Sequence, residues 1–221
     1  MKRWKLLVMV AMLGVTGMIF GCGRSHSEEP CGARSTRKDK RAPTSVKSSD
    51  VSSFYLYGND ASVFGGYIVL DAESFDIHTA SPTRTLDEER LRAIRAAGHG
   101  VKVQVGGTCP ESLDTVVPVT DAQMRQIGEA IVATGILKNN GEHGMTQGVP
   151  PDSGRASLRA AFASGEQLNI AVNSLDYSSF YLRPVAEAAR VLLPIVQSYE
   201  GDASMLETVL ETYDAQGGSA D

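Results

Sequence analysis

At Val51 this sequence changes character, and no other feature limits its folding as strongly. From there to about Tyr213 apolar residues recur at strand or helix spacing, over roughly 160 residues, enough for one hydrophobic core. Residues 22–50 differ: Val46 is their only aliphatic residue larger than Ala, among Gly, Ser, Arg, Lys and Pro. Burial in such a segment cannot offset the entropy of ordering it, so it reads as a disordered basic tether. The chain therefore divides into residues 1–21, a basic head followed by an apolar run, a tether over 22–50, a globular domain over 51–213 and a flexible tail over 214–221.

Within the domain, Ser53-Phe54-Tyr55-Leu56-Tyr57 predicts a strand that ends at the turn signal Gly58-Asn59-Asp60. Val63 to Leu70 predicts a second, with Gly65-Gly66 marking a bulge or close backbone approach. Glu73 to His78 alternates and predicts a third, with Phe75 and Ile77 inward. Three strands so close in sequence form most simply an antiparallel meander. Thr85-Leu86-Asp87-Glu88 has capping-box form and opens a helix carrying Leu91 and Ile94, stopped at Gly98-His99-Gly100. Val101, Val103 and Val105 mark another strand.

A second capping box, Thr120 to Gln123, starts a long helix with Met124, Ile127, Ile131 and Leu137 on one face. A polar loop over 139–153 precedes a short helix around Ala156–Ala163 and a strand with Leu168, Ile170 and Val172. Pro184 opens a helix that Pro194 should kink, and Asp202 caps the last one. This order lacks regular βα alternation. It predicts a single α+β domain, a meander followed by mixed helices and strands.

The N-terminus sets location. Lys2, Arg3 and Lys5 precede the uncharged run Leu6 to Phe20. As a helix that run is about 22 Å long, short of the ~30 Å hydrocarbon core, which is the form of an export signal and not of a permanent span. Ile19-Phe20-Gly21-Cys22 follows. This stretch resembles the lipobox of bacterial lipoproteins, with an aliphatic residue at −3, a small one at −1 and Cys at +1. The resemblance covers only the start of the chain.

It implies that residues 1–21 are removed as a signal peptide and that the Cys22 thiolate takes up diacylglycerol, anchoring the protein to a membrane. Each buried methylene is worth about 0.8 kcal/mol, and two acyl chains suffice for stable anchoring. It also implies a cell-envelope location. With Gly23 and not Asp at +2, that is the outer membrane facing the periplasm in a Gram-negative host. In that oxidising compartment Cys31 and Cys109 form an even pair, joined as a disulfide, left as thiols, or with Cys31 paired between molecules.

Charge is unevenly spread. Ten of the 21 bases but only four of the 26 acids precede Val51, so the rest holds 11 bases against 22 acids, a net charge of −11. A domain so acidic repels nucleic-acid phosphates, and export removes it from them, so nucleic acid is not an expected partner. Arg37-Lys38-Asp39-Lys40-Arg41 either rests on anionic envelope surfaces, at about 1 kcal/mol per base, or is solvated without a partner.

Catalytic patterns are absent from the sequence. There is no G-x-S-x-G, and His26, His78, His99 and His143 are scattered without zinc spacing, so no metal site and no cofactor are expected. Asp71, Glu73 and Asp76 read as a solvated acidic turn, since the glycine and terminal glutamate of a calcium loop are missing. Gly106-Gly107-Thr108 follows a strand, but no lysine stands where a phosphate loop needs one. Aromatic residues are the remaining bias. Tyr55 and Tyr57 share one strand face opposite Phe54 and Leu56, and with Tyr177 and Tyr181 they are the candidate binding surface, tyrosine having an apolar ring and a polar tip. The expected function is that of a membrane-anchored envelope lipoprotein whose acidic domain binds a partner protein or envelope component without catalysis. The alternative is a lipid-anchored hydrolase using a histidine and a nearby carboxylate that only the fold brings together.

Overall fold

A computed structural model describes residues 34–83, 86–107, 112–146, 154–173 and 179–216. These lie in one compact unit, Cys31–Asp221. The elements are β1 (Arg34–Lys38), β2 (Val51–Asp60), β3 (Gly66–Asp71), α1 (Glu88–Ala97), β4 (Gly98–Gly107), β5 (Ser112–Thr120), α2 (Asp121–Ala133), β6 (Glu142–Thr146), β7 (Arg155–Phe162), β8 (Gln167–Asn173), α3 (Arg183–Glu200) and α4 (Ser204–Ala215). The strands form one sheet in the order β1-β6-β8-β7-β2-β3-β4-β5. All neighbours are antiparallel except β6 and β8, so the sheet is mixed and the fold is α+β. A meander exists, but as β2-β3-β4-β5: its first two strands are the expected ones, Glu73–His78 is not the third, and β4 and β5 complete it.

Alternation decides the layers, because successive strand side chains point to opposite faces. Phe54 and Leu56, Ile68 and Leu70, Val101 to Val105, Leu158 and Ile170 all face one side and join a single buried core with α2, α3 and α4. Helix α3 is buried along Val185, Ala188, Ala189, Leu192 and Val196, where the alanines let its backbone come close to the sheet. Helix α1 lies on the other side. Its Leu91 and Ile94 form a small separate cluster with Phe75, Ile77 and Val116 at the β4–β5 end. From α1, Arg90 reaches around the edge of β5 to Thr115 (3.0 Å) and to Glu200 of α3 (2.5 Å), tying the two layers across an otherwise open strand edge.

Four expectations are corrected. Glu73–His78 is a pair of turns and not a strand, because Asp71 accepts the Glu73 and Ser74 amides and Asp76 accepts the His78 amide, diverting the backbone from a ladder. Phe75 and Ile77 still pack inward, against α1. Residues 155–162 form a central strand, not a helix: Ala156, Leu158, Ala160 and Phe162 are buried in alternation, and pairing on both sides overrides alanine's helix preference. Helix α1 is capped by Asp87, whose carboxylate accepts the Arg90 amide at 2.7 Å, and Thr85 lies outside the described residues. The Thr120 box holds as expected, closed reciprocally with Gln123.

The fourth correction is the tether. Residues 34–50 are ordered on the domain, with β1 paired along β6 from Arg34 to Lys38. The Asp39 amide donates to the Gly141 carbonyl (2.9 Å), the Ser48 amide to Ser164 Oγ (3.1 Å), and Arg125 holds Asp50 at 2.7 Å. Asn140, 1% exposed, donates to the carbonyls of Pro43 (2.8 Å) and Gln167 (2.7 Å) and accepts from the Asn169 amide (2.8 Å). Helix α2 leaves room for this segment at Gly128, where a Cβ would sit 1.9 Å from the Ser49 carbonyl oxygen. The ordering comes from partners 75 or more positions downstream, to which the composition of the segment is blind. Residues 22–33 are outside the described residues, and the supposed tail starts inside α4, which runs to Ala215.

Candidate functional site: the uncovered sheet face

Among the described residues three helices lie on one side and α1 is confined to the β4–β5 end of the other, so none of these helices covers the second face of β2, β3, β7 and β8. Tyr55 and Tyr57 both lie there, half-buried, while Phe54 and Leu56 point into the core. The expected division of this strand is therefore observed. Register supplies their neighbours: Tyr57 lies between Ser157 and Val69, and Tyr55 between Arg159 and Asp71. The guanidinium of Arg159 stacks 4.5 Å from the centre of the Tyr55 ring, and its Nε donates to Glu73 at 3.0 Å. Burial raises the Tyr55 pKa above that of an ordinary phenol, with Arg159 pulling the other way. The phenol is thus protonated at neutral pH and keeps its O–H as a donor.

The face continues beyond the residues expected from sequence. Tyr67 is 37% exposed, and its ring lies over Gly106 of β4, where a Cβ would come within 2.7 Å of it. Arg155 and Asn173 are paired across β7 and β8, and Arg155 Nε and Asn173 Oδ1 are each buried with no hydrogen-bond partner among the described residues. Between Ser53, Glu73, Arg159, Gln167 and Asn169 is a recess of about 240 Å³. Asp71, although on this face, is structural: besides the two amides it accepts Ser74 Oγ at 2.5 Å to hold the turn after β3.

Other expected residues lie elsewhere. Tyr181 sits on the helix side of the sheet, against the main core, and its hydroxyl donates to Glu142 at 2.6 Å, so it does not join Tyr55 and Tyr57. Cys22, Cys31, Cys109 and Tyr177 lie outside the described residues. Arg159, Tyr67 and Asn169 enter the site only through strand pairing; alternation around Ile68 and Leu158 is the signal that points to the first two.

The histidines spread apart. His99 Nε2 meets Asp121 at 2.8 Å, but Asp121 is 91% exposed. His143 faces Arg37 at the β1 edge, and the His78 amide serves the turn at Asp76. Among the described residues no three His, Cys, Asp or Glu side chains gather as metal ligands, and no helix is long and apolar enough to cross a membrane.

No protein-family model, no curated protein and no solved structure matches this chain. The residues themselves are therefore the basis for a functional reading.

Proposed function

We propose that this protein is a lipid-anchored lipoprotein of the cell envelope whose domain binds a partner protein or envelope component on the uncovered sheet face, without catalysis. The observation that carries the reading is the placing of Tyr55, Tyr57 and Tyr67 together on the sheet face that the helices among the described residues leave largely bare. Flat amphipathic rings beside Arg159 and the asparagines offer contact area at low side-chain entropy together with hydrogen-bond donors, the composition of protein recognition surfaces. The anchor rests on the signal-like residues 1–21 and Cys22.

Crosslinked pull-down from intact cells, run beside Tyr57→Ala, is the test of the face. A partner recovered with the native chain and lost with the folded variant supports it. No reproducible partner, together with hydrolysis in an activity screen, replaces binding with the hydrolase reading. Cys22→Ser should abolish acyl labelling and release the protein from membranes, and unchanged retention refutes the anchor.

A further inference from the structure

The cationic edge of the sheet carries a second site. Arg37 of β1 is directly opposite His143 of β6, and Arg41, in the turn after β1, closes a recess of about 480 Å³ with them, Lys38 and Asp39. Lys38 is committed to the Lys138 carbonyl (3.0 Å) and to Glu142 (3.3 Å). Asp39 accepts the Arg41 amide at 2.9 Å and lies 3.7 Å from its guanidinium. Arg37 has no hydrogen bond or ion pair among the described residues, and it and Arg41 are exposed, so their forked donors face the recess and water. Guanidinium forks beside an imidazole match the oxygens of a phosphate.

Two further observations choose the source of that phosphate. Residues 34–41 hold five bases against one acid, all on β1 and the turn after it, at one edge of a domain that is otherwise strongly acidic. A negatively charged surface therefore attracts this edge and repels the rest. The chain also reaches this edge directly from Cys22. The 12 residue steps from Cys22 to Arg34 span at most about 40 Å whatever their conformation, so an anchored Cys22 keeps β1 close to its membrane.

We propose that Arg37, Arg41 and His143 form a phosphate-binding recess that docks onto anionic phospholipid head groups of the membrane carrying the anchor. This rests on the lipid-anchor reading above. It turns the domain so that the β1 edge meets the membrane and the β5 edge, seven strands away, points from it.

The test is an amine-acylation footprint of the mature protein in vesicles of phosphatidylglycerol and phosphatidylcholine, or of phosphatidylcholine alone, with the mass of the Cys22 peptide recorded. Lys40, exposed beside the recess, should be protected several-fold on the anionic vesicles, with Lys102 unchanged. Arg37→Glu and His143→Glu should each remove the protection, and Arg92→Glu, exposed on α1, should leave it. Equal labelling of Lys40 on both vesicles, or protection that survives either recess variant, overturns the proposal. If inorganic phosphate added to phosphatidylcholine vesicles protects Lys40 as well, the membrane source is wrong and the recess takes soluble phosphate. Acylated Cys22 with unprotected Lys40 overturns the recess alone, whereas unacylated Cys22 overturns the anchor and the docking with it.

Discussion

The two faces of β2 differ by one residue of register and have opposite surroundings. Phe54 and Leu56, 1% and 0% exposed, are locked under α3 and the other core helices, whereas Tyr55 and Tyr57 on the reverse face are half-buried among polar neighbours. The first face binds the protein to itself. The second has no layer of helices over it among the described residues, and it is the face that the proposed partner would cover. Alternation alone produces both, because an uneven supply of helices leaves one side of a regular sheet bare.

Truncation measures the contrast directly. Phe54→Ala should cost about 3–5 kcal/mol in denaturant unfolding, the range for aromatic truncation in a packed core. A loss below about 2 kcal/mol would mean that the helical side is packed no better than the open one.

A smaller effect belongs to the basic segment, which the structure moves from tether to domain. Asn140→Ala removes three buried hydrogen bonds joining residues 43, 167 and 169, and should cost about 2–3 kcal/mol. Amide exchange at Asn169 should rise with it. Unchanged exchange there would return residues 43–50 to the status of a loose leader.

Next comes Glu142, on the helix side beneath Tyr181. Burial pushes its carboxyl up, but hydrogen bonds from Tyr181, Asn139 and Lys38 outweigh that and leave its pKa below the ordinary value. A carboxylate lowered in the folded state contributes stability above its unfolded pKa, near 4.3, and loses it as pH falls through the folded value. Glu142→Gln should therefore cost about 1 kcal/mol at neutral pH, with the difference from native closing in acid. A gap that is constant with pH would show that the carboxylate charge is not what holds β6 to the Ser179–Leu182 turn.

The smallest effect on stability is the most informative about function. Tyr57→Ala should lower unfolding stability by less than about 1 kcal/mol, since the ring is only half-buried, and still abolish partner recovery. A loss comparable with that of Phe54→Ala would make the tyrosine face a second core and remove the contrast altogether.

Much of the architecture is readable residue by residue. Alternation at Val101–Val105 and Leu168–Ile170 marks β4 and β8, Thr120 and Gln123 announce α2, and Gly98, with φ of 98°, ends α1 where the glycine pair suggested. Strand β5 leaves no such trace because Val116 faces the α1 cluster while Val117 and Val119 face the main core, so both faces are apolar. Strand β7 is disguised by its alanines. Strands β1 and β6 are short and polar; β1 is held by pairing to β6, and β6 by pairing to both β1 and β8. At the candidate site Tyr55 and Tyr57 follow from their own alternation, but Tyr181 does not belong with them, since a 3₁₀ turn at Ser179–Leu182 delivers it to Glu142 on the far side.

By itself the sequence determined the α+β class, the first two strands of the meander, the two-sidedness of β2 and the signal-like character of residues 1–21, because each is written in side-chain spacing within a dozen or so residues. The tertiary structure decided which sheet face stays open, that Arg34–Asp50 belongs to the domain, and that Arg37 meets His143. Those outcomes depend on backbone hydrogen bonds and helix packing between segments far apart in the chain. Local composition carries no record of a partner about 100 residues away.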